Sequence, residues 1–295
     1  MRTPVPPARF HELVDAVCED RYAAEDLEAF GEIEDWDVSE IEDFSHAFES
    51  RYTFNRDLSR WDTGRATDMS EMFANARAFD QPLGEWDVSQ VTDMRGMFAG
   101  TASFNQPLEG WDVSQVTNMR CMFFNTCAFN QPLGNWNVSC VKDMSYMFEC
   151  AESFHQPLAD WNVSHVKDME GMFEAANSFN QPLESWDVSS VTDMANMFHC
   201  TRAFNQPLER WDVSRVRDMD EMFYNARAFN QPLGDWDVSR VRCMWHMFEG
   251  AEAFSQSLRG WILSSPHDTA AEGCPRPHWR PPSVSPHTRR HTSFP

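Results

Sequence analysis

The sequence predicts an α/β solenoid of nine 25-residue coils, with one short parallel strand and one short helix in each coil. Three observations carry that prediction. Tryptophan recurs at 36, 61, 86, 111, 136, 161, 186, 211, 236 and 261 with no insertion or deletion. Counting that Trp as position 1, every methionine after Met1 falls at position 9 or 12. Phe fills position 13 from Phe48 to Phe248 and position 19 from Phe54 to Phe254, and Leu fills position 23 from Leu58 to Leu258. A fixed period of this length marks a stacked array, and columns this uniform mark packing sites that neighbouring coils share.

Taken in chain order, the first element is a cap. Phe10, Leu13, Val14 and Val17 sit at helical spacing, and Leu27 and Phe30 precede Gly31, so residues 1–35 are read as a helical cap over the first coil. Residues 36–263 form the solenoid. Within each unit, Trp and Val at positions 1 and 3 alternate with polar residues at 2 and 4, the pattern of a short strand. Positions 9, 12, 13 and 16 then follow i, i+3, i+4, i+7 spacing, which predicts about two turns of helix. Asp at position 8, as in Asp93, Asp143 and Asp193, suits the N-cap of that helix. The Asn-Gln-Pro run, as in Asn105, Gln106 and Pro107, reads as the loop that returns to the next strand. A single coil buries too little to offset the ordering of its own backbone, so stacking is obligatory. Residues 264–295, with seven prolines among Ser, His and Arg, have the composition of a disordered tail.

Composition narrows the function. Twelve Trp, twenty-three Phe and seventeen Met in 295 residues supply ample core and exclude wholesale disorder. Net charge is −22; the last 32 residues carry four arginines against Asp268 and Glu272, which leaves −24 on residues 1–263. Such a field repels nucleic acid and anionic membranes, so no nucleic-acid partner is expected. No stretch reaches the roughly 20 apolar residues of a membrane helix, and residues 1–7 show no secretory signal. The eight cysteines share no spacing and form no CxxC, which reads as free thiols.

Catalytic, cofactor and metal sites are not expected. Catalysis and coordination need unlike residues converging on one point, whereas nearly every polar residue here belongs to a column. Repeat histidines fall in different columns: His46 and His246 at position 11, His155 at 20, His165 at 5 and His199 at 14. The acidic column at position 2, with Asp87, Asp112, Asp187, Asp212 and Asp237, has two readings, calcium along one face or capping of the adjacent turn. Asn137 and Asn162 in mid-column favour capping, because Asn keeps the hydrogen bond and drops the charge; both also create N-x-S sequons.

One stripe stands against the acidic body. Position 7 carries Lys142, Lys167, Arg217 and Arg242, and position 5 adds His165, Arg215 and Arg240. Lys142, Lys167, Arg215, Arg217, Arg240 and Arg242 are therefore the candidate partner-binding residues. Two readings stand side by side: local neutralisation of Asp212, Asp218 and Asp237, or a docking patch for an acidic protein or anionic glycan, whose carboxylates and sulfates suit arginine forks.

The unit W-D-V-S-x-V-x-D-M-x-x-M-F…F-N-Q-P-L, fitted in register across 36–263, resembles that of the BspA-type leucine-rich repeat surface proteins of bacteria and protists. The segment Leu108, Trp111 and Val113 is similar to the leucine-rich-repeat strand signature, although Val116 stands where ordinary members place Asn. The resemblance implies a right-handed leucine-rich-repeat-like solenoid and a role in adhesion or protein binding. The expected function is thus a non-enzymatic, monomeric scaffold that binds a protein or glycan, with a purely structural spacer as the alternative and an enzyme as a remote third. Location stays open, between cytoplasm on the sequence and cell surface on the resemblance.

Overall fold

The computed structural model describes residues 3–261, so the expected tail at 264–295 lies outside the described residues. A 3₁₀ turn at Pro7–Arg9 leads into α1 (Phe10–Cys18), and α2 (Ala24–Phe30) follows. α1 buries Phe10, Leu13 and Val14, one stripe at i, i+3, i+4 spacing. Phe10 sets its ring edge-on to Phe44 at 5.2 Å and to Trp61 at 5.9 Å, so α1 packs on the first two coils. His11 Nε2 lies 2.8 Å from the Ser45 carbonyl, which gives a first-coil oxygen a partner. α2 ends at Gly31, whose carbonyl accepts the Trp36 indole N–H at 3.2 Å.

After a second 3₁₀ turn at Ile33–Asp35, the backbone departs from the expected α/β solenoid. Among the described residues there is no β-strand, and α1 and α2 are the only α-helices. Neither the strand at W-D-V-S nor the helix at positions 9–16 forms. The reason lies in where the amides go, and the coil from Trp136 shows it.

Its first stretch spends its amides on local turns. Trp136 N–H donates back to Leu133 O (3.1 Å), Ser139 N–H to Asn137 Oδ1 (3.2 Å) and Val141 N–H to Val138 O (3.0 Å). Trp136 and Val138 still point inward and Asn137 outward, so turns satisfy the same alternation that a strand would.

The second stretch alternates two kinds of bond. Met144, Tyr146, Phe148 and Cys150 donate their N–H groups to the next coil, at Asp168, Glu170, Met172 and Glu174 carbonyls, over 2.7–3.0 Å. Met147, Glu149 and Ala151 donate to carbonyls three residues back in their own coil. An α-helix needs i→i−4 bonds throughout, and this ribbon makes none of them. Tyr146 and Cys150 have φ of 58° and 55°, and every coil repeats positive φ at positions 11 and 15. Those left-handed residues let each amide alternate between turn and neighbour. Where Gly100 takes this place, a Cβ would stand 2.5 Å from Asn75 Oδ1, so any larger residue would have to displace that side-chain amide.

Coil joins coil through one parallel bridge per step at position 8, from Asp43↔Asp68 to Asp218↔Cys243. Position 7 donates to position 7 of the preceding coil, as in Lys167 N–H to Lys142 O at 2.8 Å. The Asp at position 8 does cap, but it caps a turn: Asp143 Oδ1 accepts Ser145 N–H at 2.9 Å.

The core is a set of aromatic columns. Phe148 stacks on Phe173 at 5.7 Å and on Phe154 in its own coil at 4.1 Å, and Trp161 stacks on Trp186 at 6.4 Å with the planes 2° apart. The methionines at positions 9 and 12 and Leu at 23 are buried in the same cluster. From Trp61 on, each Trp of the column also donates its indole N–H to the carbonyl 28 residues back, as Trp136 Nε1 does to Leu108 O at 2.9 Å. A polar ladder runs alongside: Asn130 N–H donates to Asn105 Oδ1 (2.9 Å), and Gln131 Nε2 donates to Asn105 O and Oδ1 (3.0 and 3.1 Å). That ladder is the physical content of the Asn-Gln-Pro run, which keeps the return loop in register.

Candidate partner-binding surface

The basic stripe rides on the position-7 ladder. Lys142, Lys167, Thr192, Arg217 and Arg242 each donate a backbone N–H to position 7 of the coil before, over 2.8–2.9 Å. Coil spacing along such a parallel ladder is about 4.8 Å, so the column presents one side chain per step. Lys142, Lys167, Arg215, Arg217, Arg240 and Arg242 are all exposed. The backbone therefore fixes the origin of each side chain, while the charged end stays in water.

None of the six forms an ion pair with a described carboxylate. Arginines elsewhere in the coils do pair: Arg95 with Glu71 at 3.2 Å, Arg210 with Glu184 at 3.3 Å and Arg227 with Glu252 at 3.5 Å. Arg65, which holds position 5 of the second coil, pairs with Glu42 at position 7 of the first. Arg215 and Arg240 hold that same position without such a partner, because column 7 beside them carries Thr192 and Arg217 rather than an acid.

The neighbouring aspartates are engaged elsewhere. Asp212 and Asp237 accept Ser214 and Ser239 N–H groups at 3.0 Å, closing a turn. The Ser239 hydroxyl and amide, with a smaller contribution from the charge of Arg240, hold the Asp237 carboxyl below its usual range, and the Ser89 and Ser189 groups do the same for Asp87 and Asp187. Asn137 and Asn162 make the same bond to Ser139 and Ser164 at 3.2 Å. The column at position 2 thus uses one oxygen for turn capping along its length.

A second group was hidden in the sequence. Glu149, Glu174 and His199 share position 14 in three successive coils, and Glu221 comes from position 11 of the next. His199 Nδ1 lies 3.1 Å from Glu174 Oε1, off the axis of a straight hydrogen bond, and Nε2 lies 3.3 Å from Glu221 Oε2. Its ring stacks on Tyr224 at 5.0 Å. Burial, then the charge of Glu174, pushes Glu149 up to about 7, and Glu174 beside His199 raises the imidazole. The four residues are half-buried members of columns 11 and 14, so a comparison of these two columns across coils finds the cluster. At the other end His46 Nδ1 lies 2.7 Å from Glu49 and 3.7 Å from Glu71, an exposed group that Arg95 also joins through Glu71.

Three overlapping stretches, residues 19–123, 107–202 and 180–271, match one family, described as Mycoplasma protein of unknown function, DUF285. Together they run from 19 to 271, well over half of the chain. The chain belongs to the DUF285 family. Each match spans about four coils, so the DUF285 unit here is a run of stacked coils rather than a separate globule. No curated protein matches the chain. No described helix of this DUF285 chain is long and apolar enough to cross a membrane.

Proposed function

We propose that this DUF285 chain is a non-enzymatic scaffold that binds an anionic partner, protein or glycan, along the stripe Lys142, Lys167, Arg215, Arg217, Arg240 and Arg242. The observation that carries the reading is that six cations on one edge of a strongly acidic chain are exposed and without carboxylate partners among the described residues. Charge neutralisation would place acids against them, as Glu42 is placed against Arg65. The column architecture supports the same reading. Interior columns repeat because they pack, while positions 5 and 7 change from coil to coil, the behaviour of a surface that carries specificity. The resemblance of the unit to BspA-type surface proteins, which suggests adhesion, points the same way.

The test is reversal of Arg215, Arg217, Arg240 and Arg242 to Glu, followed by thermal unfolding and partner capture. A variant that melts like the parent and loses the partners supports the reading. A variant that loses stability and keeps its partners returns the stripe to charge balance.

A further inference from the structure

We infer that the stripe's partner is a linear sulfated glycan laid along the stack axis across the last five coils. The inference rests on the docking role proposed above and names the class of partner.

Three features of the surface select a glycan over a folded protein. The first is spacing. Column 7 presents Lys142, Lys167, Thr192, Arg217 and Arg242 at one coil per step, about 4.8 Å apart, and the ladder of backbone bonds holds that interval constant. Two pairs of cations in one column, either side of Thr192, match a polymer that repeats its charge along one direction. Arg215 and Arg240 at position 5 widen the far end of the row into a group of four guanidinium forks on two adjacent coils. Such forks receive two oxygens of one sulfate or carboxylate.

The second feature is the lack of anchors. Protein interfaces draw most of their affinity from buried aromatic and aliphatic side chains at the centre of the patch. The large exposed apolar residues of the described chain, Leu27 and Tyr52, belong to the N-terminal end. Along the stripe Val141, Val166, Val191, Val216 and Val241 at position 6 are buried, and Ser190 and Thr192 lie between the cationic coils. Cations interspersed with hydroxyls suit a sugar chain, which offers anions and hydroxyls together.

The third feature is the charge of the rest of the chain. The charge of −24 on residues 1–263 disfavours polyanions across the coils away from this stripe, and a polyanion that spreads over a wide surface, such as duplex DNA, meets repulsion on both sides of it.

The experiment uses the full chain, a sulfated heparin-type oligosaccharide, its desulfated counterpart, a poly-glutamate peptide and a short DNA duplex, with affinities measured at two salt concentrations. The expected result is binding of the sulfated oligosaccharide that weakens with salt, exceeds that of the other three probes, and falls roughly a hundred-fold or more in the Arg215→Gln, Arg217→Gln, Arg240→Gln, Arg242→Gln variant with an unchanged melting temperature. Gln keeps the surface polar while removing the charge and the guanidinium fork together. Tighter binding of poly-glutamate, lost in the same variant, overturns the glycan while leaving the docking role standing. Equal binding of glycan and DNA overturns it as well. Binding of any probe that the variant leaves unchanged removes both, and no binding of the sulfated oligosaccharide removes the glycan.

Discussion

Trp136 does two jobs that a phenylalanine could not. Its ring stacks on Trp111 at 6.4 Å, and its Nε1–H satisfies the buried Leu108 carbonyl, three residues before Trp111, at 2.9 Å. Trp136→Phe should therefore cost about 1–3 kcal/mol from the abandoned carbonyl alone, read as a lower urea midpoint with an unchanged m-value. His155 is the converse case. It holds the position where Asn105, Asn130 and Asn205 offer Oδ1 to the next coil, and the Gln181 side chain finds only its backbone oxygen, at 2.8 Å. His155→Asn should restore the ladder to the Asn180 amide and stabilise by about 0.5–1.5 kcal/mol; an unchanged or lower midpoint would show that the ladder contributes nothing at this step. At this scale the sequence was fully legible for the apolar columns, since Trp, Met, Phe and Leu occupy the interior they were assigned. The stripe residues were legible as exposed cations. Their lack of partners was not, because it depends on which way Asp212 and Asp237 turn.

At the scale of the element, the pattern of inward residues was read correctly and the backbone was not. Spacing of 9, 12, 13 and 16 says which side chains face the core, but a helix and a ribbon of turns can share that spacing. The missing signal was in the same units: Gly96, Gly171 and Asn196 at position 11, and Asn75, Gly100, Asn125, Asn225 and Gly250 at position 15, are residues that favour positive φ. Cys150 carries that φ with an ordinary side chain, so Cys150→Gly should be neutral to stabilising, whereas the same change inside a helix is destabilising by roughly a few tenths of a kcal/mol. The outward face of this ribbon also sets a pH dependence. Glu149 titrates near 7 and Asp193, between Asp168 and Asp218, near 6, both raised first by burial. A carboxyl raised in the folded chain binds protons that the unfolded chain releases, so it lowers stability as pH climbs from its unfolded value through its folded one. His199, raised by Glu174, contributes stability below its unfolded value that is likewise lost as pH rises. All three signs agree. The melting temperature should rise on acidification from pH 7.5 to 5.5, and Glu149→Gln should flatten that slope; a variant with the parent's slope would remove the cluster from the account.

For the molecule as a whole, stability should depend on place along the stack. Phe154 is fully buried between Phe129 and Phe179, while Phe254, in the last described coil, retains 7% exposure and stacks on Phe229 alone among the described position-19 rings. Phe154→Ala should cost about 3–5 kcal/mol and Phe254→Ala clearly less, because an end coil can fray without its neighbours; equal losses would contradict a nearest-neighbour stack. The amides themselves decide whether coil-to-coil bonds hold this chain. A helix beginning after Asp143 would leave its first amides, at Met144 and Tyr146, without backbone partners and open to exchange. Here both donate to the next coil, at 3.0 and 2.7 Å. Residue-resolved hydrogen exchange of the full chain should find Met144, Tyr146, Phe148 and Cys150 protected together, at the level of the most stable amides of the stack. Rapid exchange at Met144 and Tyr146 with protection beginning only near Met147 would contradict it.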